Sequence, residues 1–97
     1  MPRPRKPRCI TSEPRSFYFK PRAIPLVELQ ECVLRLEEFE ALRLADAEGL
    51  HSEAAATVME VSRHTFGRVL RSARRTVAQA LVHGYALRIE GRPEHNA

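Results

Sequence analysis

Ninety-seven residues suffice for one compact domain with a modest core and short tails, and for little more. Hydrophobic residues make up 43% of the chain, with four Phe, two Tyr and no Trp, so the core is expected from Leu, Val, Ile and Ala, which favours helices packed on helices. The formal charge of +4 and pI near 9.7 point to a polyanionic partner, while two cysteines without CxxC spacing exclude a disulfide scaffold and a zinc ribbon.

The charge is unevenly spread. Residues 1–22 hold seven Lys or Arg against Glu13, residues 28–60 hold nine acids against Arg35 and Arg43, and residues 61–92 hold seven Arg against Glu90. No apolar run approaches the roughly 20 residues that span a bilayer, and the Pro-rich basic start lacks the apolar stretch of a signal peptide. A cytoplasmic protein without membrane contact is expected, with Cys9 and Cys32 as reduced thiols.

In chain order, MPRPRKPR at residues 1–8 reads as an extended basic arm, because Pro blocks helix formation and the cations repel. The arm is taken to run to residue 15, with the folded domain over 16–90 and a disordered tail over 91–97. SFYFKPRAIPL, from Ser16 to Leu26, predicts a short strand entering a Pro-bounded connection. A helical stretch over Val27–Leu34 is a weaker expectation than the next one, Leu36–Glu48, where Phe39, Leu42 and Ala45 recur at three-residue spacing and Gly49 supplies a left-handed stop. A short helix over Glu53–Met59 follows, with Ser52 as its N-cap. After a break at Glu60 and Val61, Ser62 caps a long helix that reaches His83 before Gly84, and Tyr85–Glu90 suits a closing strand.

The long helix has two unlike sides. Phe66, Val69, Leu70, Ala73, Val77, Ala80 and Leu81 follow the three-and-four spacing of a buried stripe, which leaves Arg63, His64, Gly67, Arg71, Arg74 and Arg75 on the opposite arc. A DNA-binding helix-turn-helix needs a small residue where its two helices touch, apolar residues around the turn and polar residues outside, and Ser52–Arg75 meets that pattern. Ala55 and Ala56 supply the contact, Met59 and Val61 flank the turn, and Phe66 and Val69 anchor the second helix. Glu60 departs from it, because Gly reaches the left-handed backbone of such a turn more easily. Plain packing within a helical domain is the competing reading of the same residues.

The candidate DNA-binding residues are Ser62, Arg63, His64, Thr65, Gly67, Arg68, Arg71, Arg74 and Arg75. Arg63, His64 and Arg68 are expected to read bases in the major groove, with Arg able to donate two hydrogen bonds to guanine. Arg71, Arg74 and Arg75 are expected on phosphates, the helix amides at Ser62 on another, and Gly67 is expected to let the backbone come close or merely to relieve crowding. Arg3, Arg5, Lys6 and Arg8 suit an adjacent minor groove or nonspecific attraction.

The acids Glu37, Glu38, Glu40, Asp46 and Glu48 are expected to face solvent or a protein partner, away from DNA. His51, His64, His83 and His95 show no i, i+4 pair, so neither a metal nor a cofactor is expected. Without a Gly-rich phosphate loop or a nucleophile motif, the chain does not read as an enzyme.

RPRKPR, YFKPRAIPL, LEEFEALRLADAEGL, SRHTFGRVLRSAR and ALRIEG together resemble uncharacterised protein family 251, also called domain of unknown function 134. The resemblance implies a mainly α domain, with a three-helix helix-turn-helix similar to region 4 of sigma factors, short strands at each end, and a role in transcription. His51, Glu60 and His64 stand where that family pattern suggests a Ser-like residue, Gly and Gln, and Thr11 stands where it suggests Cys. The expected function is a sequence-specific transcriptional regulator that binds double-stranded DNA as a homodimer. The alternative is a protein-interaction adaptor that docks on RNA polymerase or another partner.

Overall fold

The computed structural model describes residues 13–90. Two strands, three helices and a last strand follow one another along the described residues: β1 (Tyr18–Phe19), β2 (Glu31–Leu34), α1 (Leu36–Leu42), α2 (Ser52–Met59), α3 (Arg63–His83) and β3 (Ala86–Ile89). The fold is mainly helical, with a small sheet of order β1-β3-β2. β1 runs antiparallel to β3, with Tyr18 opposite Arg88 and Phe19 opposite Leu87. β2 runs parallel to β3, from Glu31 opposite Ala86 to Leu34 opposite Ile89. Parallel neighbours need a long crossover, and here the whole helical unit is that crossover.

The middle strand corrects the sequence reading of Val27–Leu34. Only Leu26–Glu28 turns, as a single 3-10 turn after Pro25, and Glu31–Leu34 is strand. Leu34 and Cys32 alternate inward with Glu31 and Val33 outward, the period of two that half-buried strands require. On the outer face, Glu31 accepts from the Tyr18 hydroxyl at 2.8 Å and from Arg88 Nε at 3.1 Å, which ties all three strands together.

Two apolar clusters meet at Leu42. One gathers Ala41, Leu44, Ala55, Ala56, Met59, Phe66, Val69 and Leu70 between the three helices. The other sets Leu34, Ile89 and Leu87 of the sheet against Ala73, Val77, Leu36 and Phe39, with Phe17 alongside. The stripe expected on α3 is buried at Phe66, Val69, Leu70, Ala73 and Ala80, but Leu81 is 77% exposed and does not belong to it. The sheet ends beside that turn and nothing among the described residues covers it.

Helix ends follow from local chemistry. α1 passes into a π turn at Arg43–Ala47, closed by the Glu48 amide on the Arg43 carbonyl at 2.8 Å, and Gly49 at φ 78° reverses the chain. α2 starts one residue earlier than expected: His51 occupies the N-cap, gives no side-chain cap, and Ser52 is already helical. At its other end Glu60 adopts φ 62°, ψ 41°. The Glu60 amide then donates to the Thr57 carbonyl at 3.1 Å and the Val61 amide to the Ala56 carbonyl at 3.0 Å, a Schellman closure with Val61 tucked onto the core. A tight, left-handed corner between α2 and α3 results.

The acids of α1 are the second correction. Glu38 and Glu40 are buried, not solvated. Glu38 accepts from the Arg35 backbone amide at 2.9 Å, as the N3 member of half a capping box, and from the Ser72 hydroxyl of α3. Burial pushes the Glu38 carboxyl up, yet the hydrogen bonds from Ser72 and Arg35 outweigh it and hold the group below its usual range. Glu40 is clasped by Arg43, whose Nε and Nη2 donate at 3.1 and 2.9 Å. A buried carboxylate is tolerated only with such partners, because an unpaired one costs several kcal/mol.

Candidate nucleic-acid interface

α3 begins at a side-chain cap. Ser62 Oγ accepts from the Thr65 amide at 3.0 Å and donates to Thr65 Oγ1 at 3.0 Å. This fixes the first turn, and leaves the amides of Arg63 and His64 at the positive end of the helix dipole without an intrahelical acceptor. Both residues are exposed, as is Ser62.

From that turn a cationic row runs along the outer side of α3. Arg63, Arg68, Arg71 and Arg75 are exposed, and no ion pair or hydrogen bond engages their side chains among the described residues. The opposite side of the same turns holds Phe66, Val69 and Leu70 in the core, so the row is aimed outward by the packing beneath it. Gly67 lies within the row. A methyl group added there would meet nothing within 4 Å, so the crowding explanation for this glycine fails and the helix backbone stands open to the outside.

Two expected members of the row behave differently. Arg74 turns sideways to Asp46, donating from Nε at 3.0 Å and from Nη2 at 2.7 Å, which fastens the π turn to α3. The Arg74 hydrogen bond holds the Asp46 carboxyl below its usual value of 3.8. Thr65 is half-buried, with its hydroxyl tied to Ser62, so it shapes the start of the helix more than it presents a free donor. Arg3, Arg5, Lys6 and Arg8 lie outside the described residues, as do the tail over 91–97 and Thr11.

The structure adds a residue that no sequence motif singles out. Arg35, one of the two cations in the acidic stretch, reaches the rim of a cavity of about 350 Å³ that Thr65, Arg68 and Ser72 also line. Its guanidinium pairs with Glu37 at 3.1 Å and with Glu38 at 3.5 Å, so its charge is largely balanced there. No motif precedes α1 that would have revealed this neighbour, since the contact with α3 is made across 30 residues or more of chain. Among the described residues, no group of three or more His, Cys, Asp or Glu is arranged to hold a metal ion, and no helix is long and apolar enough to cross a membrane.

The family described as protein of unknown function DUF134 matches residues 1–95. The chain belongs to that family. A UPF0251 protein of Desulfosudis oleivorans is 58% identical over 91 residues, which are 94% of this chain and 66% of the relative. A UPF0251 protein of Caldanaerobacter subterraneus subsp. tengcongensis is 55% identical over 91 residues, 94% of this chain and 77% of the relative. One from Rhodospirillum rubrum is 52% identical over 93 residues, 96% of this chain and 65% of the relative. This DUF134 chain thus spans about two thirds to three quarters of the length of these relatives. No solved structure matches it. Membership bears out the family resemblance carried by the quoted motifs, while the relatives' names state no activity, so a function for DUF134 rests on the geometry above.

Proposed function

We propose that this DUF134 chain is a sequence-specific DNA-binding protein that regulates transcription, with α2, the Glu60 corner and α3 acting as a helix-turn-helix like that of sigma factor region 4. The single observation that carries the reading is the row of Arg63, Arg68, Arg71 and Arg75. These four cations share one outward side of a helix anchored in the core, and no carboxylate among the described residues balances them. Unpaired guanidinium groups at such density repel one another and gain by meeting a polyanion, each phosphate contact releasing a counterion.

The order of groups along α3 supports a division of roles among them. The amides of Arg63 and His64 and the side chains of Arg63, His64 and Arg68 occupy the first turns, where a helix enters the major groove and its side chains reach base edges. Arg71 and Arg75 lie one and two turns farther along, which suits them to phosphates in this reading. Arg74, held by Asp46, is withdrawn from that set.

An adaptor docking through its acidic helix draws little support from α1, since Glu38 and Glu40 are buried and Asp46 and Glu48 pair with Arg74 and Arg43. The deciding experiment is selection of bound sequences from a random duplex pool at low salt, followed by Arg63→Ala and Arg68→Ala. Each substitution is expected to cost about 1–3 kcal/mol on the selected site and far less on random DNA. Failure to retain any duplex overturns the reading.

A further inference from the structure

The outward arc of α3 is rich in hydrogen-bond donors and nearly empty of acceptors. At about 100° per residue, Arg63, Gly67, Arg71, His64, Arg75 and Arg68 fall in that order across roughly 140° of the helix, opposite Phe66, Val69 and Leu70. The four guanidinium groups only donate, and the His64 ring carries at least one N–H in either charge state. Its second nitrogen, when unprotonated, is the one side-chain acceptor on the arc. Gly67 contributes no side chain, and a methyl group there would meet open space.

The fold engages the acceptors that border this arc. Ser62 Oγ accepts from the Thr65 amide and donates to Thr65 Oγ1. Ser72 donates to the buried Glu38, Asp46 accepts twice from Arg74, and Glu37, which lines the same cavity as Arg68, pairs with Arg35. Glu53 and Glu60 belong to α2 and to the corner that ends it. In a helix-turn-helix that first helix crosses the phosphate backbone, where a carboxylate reads no base. The first carboxamide on α3, Gln79, lies about 24 Å along the axis from Arg63, twice the ~12 Å width of a major groove.

Base edges differ in what they ask of such a surface. Guanine shows two adjacent acceptors in the major groove, O6 and N7, which match the paired N–H groups of one guanidinium. Adenine sets an N–H donor beside its N7 and is read by a carboxamide, cytosine presents a donor and is read by a carboxylate, and thymine adds a methyl group that favours an apolar neighbour. The arc carries no carboxamide, no carboxylate and no apolar side chain.

We propose, on the strength of the DNA reading above, that this helix selects guanine, with Arg63 and Arg68 each donating to O6 and N7 of a separate base. The two residues flank the arc and are about 7.5 Å apart along the axis, the rise of about two base-pair steps. Both guanines therefore fall within a window of about four base pairs, on one strand or on opposite strands, and Gly67 between the two arginines lets the helix settle toward them.

The test titrates a duplex selected from a random pool against the same duplex with each guanine replaced in turn by 7-deazaguanine, which keeps its pairing and loses the N7 acceptor. At least two guanines within about four base pairs are expected to cost fivefold or more when replaced. The loss at one is expected to vanish in Arg63→Ala and the loss at another in Arg68→Ala, while Arg71→Ala weakens every duplex alike. Arg68→Gln, which supplies an acceptor beside a donor, is expected to move the preference at its position from guanine to adenine. A selected site made of A·T pairs, or 7-deazaguanine duplexes bound as tightly as their parent, overturns guanine selection and leaves DNA binding standing. A chain that retains no duplex at all sinks the DNA reading, and guanine selection with it.

Discussion

Asp46 grips Arg74 side-on, both carboxylate oxygens accepting from one guanidinium at 3.0 and 2.7 Å across 28 residues of chain. The pair divides the arginines of α3 into one that braces the fold and four that remain unbalanced.

Asp46→Asn frees Arg74. Both groups are substantially exposed, so the loss of stability is expected to stay under about 1 kcal/mol. The released cation adds one phosphate contact, and the dependence of log affinity on log salt steepens by about 0.9. Because Asp46 is depressed in the folded chain, its stabilisation is complete above its ordinary value of 3.8 and fades as pH falls below that toward the folded value. Denaturation of wild type and variant at pH 6 and pH 3 checks this: the difference between them shrinks at the lower pH.

Gly67→Ala separates folding from binding. An added methyl meets open space and Ala is the better helix former, so the variant gains about 1 kcal/mol in stability. If the α3 backbone lies against DNA at that point, affinity falls at least tenfold in the same protein. A stabilised variant with unchanged affinity removes Gly67 from the interface.

Glu60→Gly relieves the left-handed corner. A residue with a Cβ at φ 62° pays about 1 kcal/mol that Gly does not, which for a domain of this size corresponds to about 4–8 °C in Tm. A thermal melt of Glu60→Gly is expected to shift upward, and one of Glu60→Val downward, since β-branching worsens the same strain.

What the sequence showed and what it hid divide along the distance between partners. α3 was legible from Ser62 to Gly84 because its cap, its stripe and its stop are all local, and the Glu60 corner was legible because a break in period sat on a residue that Gly would suit. β2 was misread because Glu31–Leu34 becomes a strand by pairing with Ala86–Ile89, more than 50 residues away, and its four residues carry too little alternation to declare it. The burial of Glu38 depends on Ser72, and the withdrawal of Arg74 depends on Asp46, neither of which any helical spacing reveals. Leu81 fits the periodic stripe yet stays outside, because where the sheet ends is set by tertiary packing.

The most direct test is a titration of a short labelled duplex with wild-type protein and with the Arg63→Ala, Arg68→Ala, Arg71→Ala, Arg75→Ala combination, between 50 and 200 mM salt. Wild type is predicted to bind at about 50 mM salt with affinity falling steeply as salt rises, and the combined variant, still folded by circular dichroism, to lose both the binding and most of the salt slope. Equal binding by the two proteins, or no binding by wild type at the lowest salt, would contradict the assignment of that helix face to DNA.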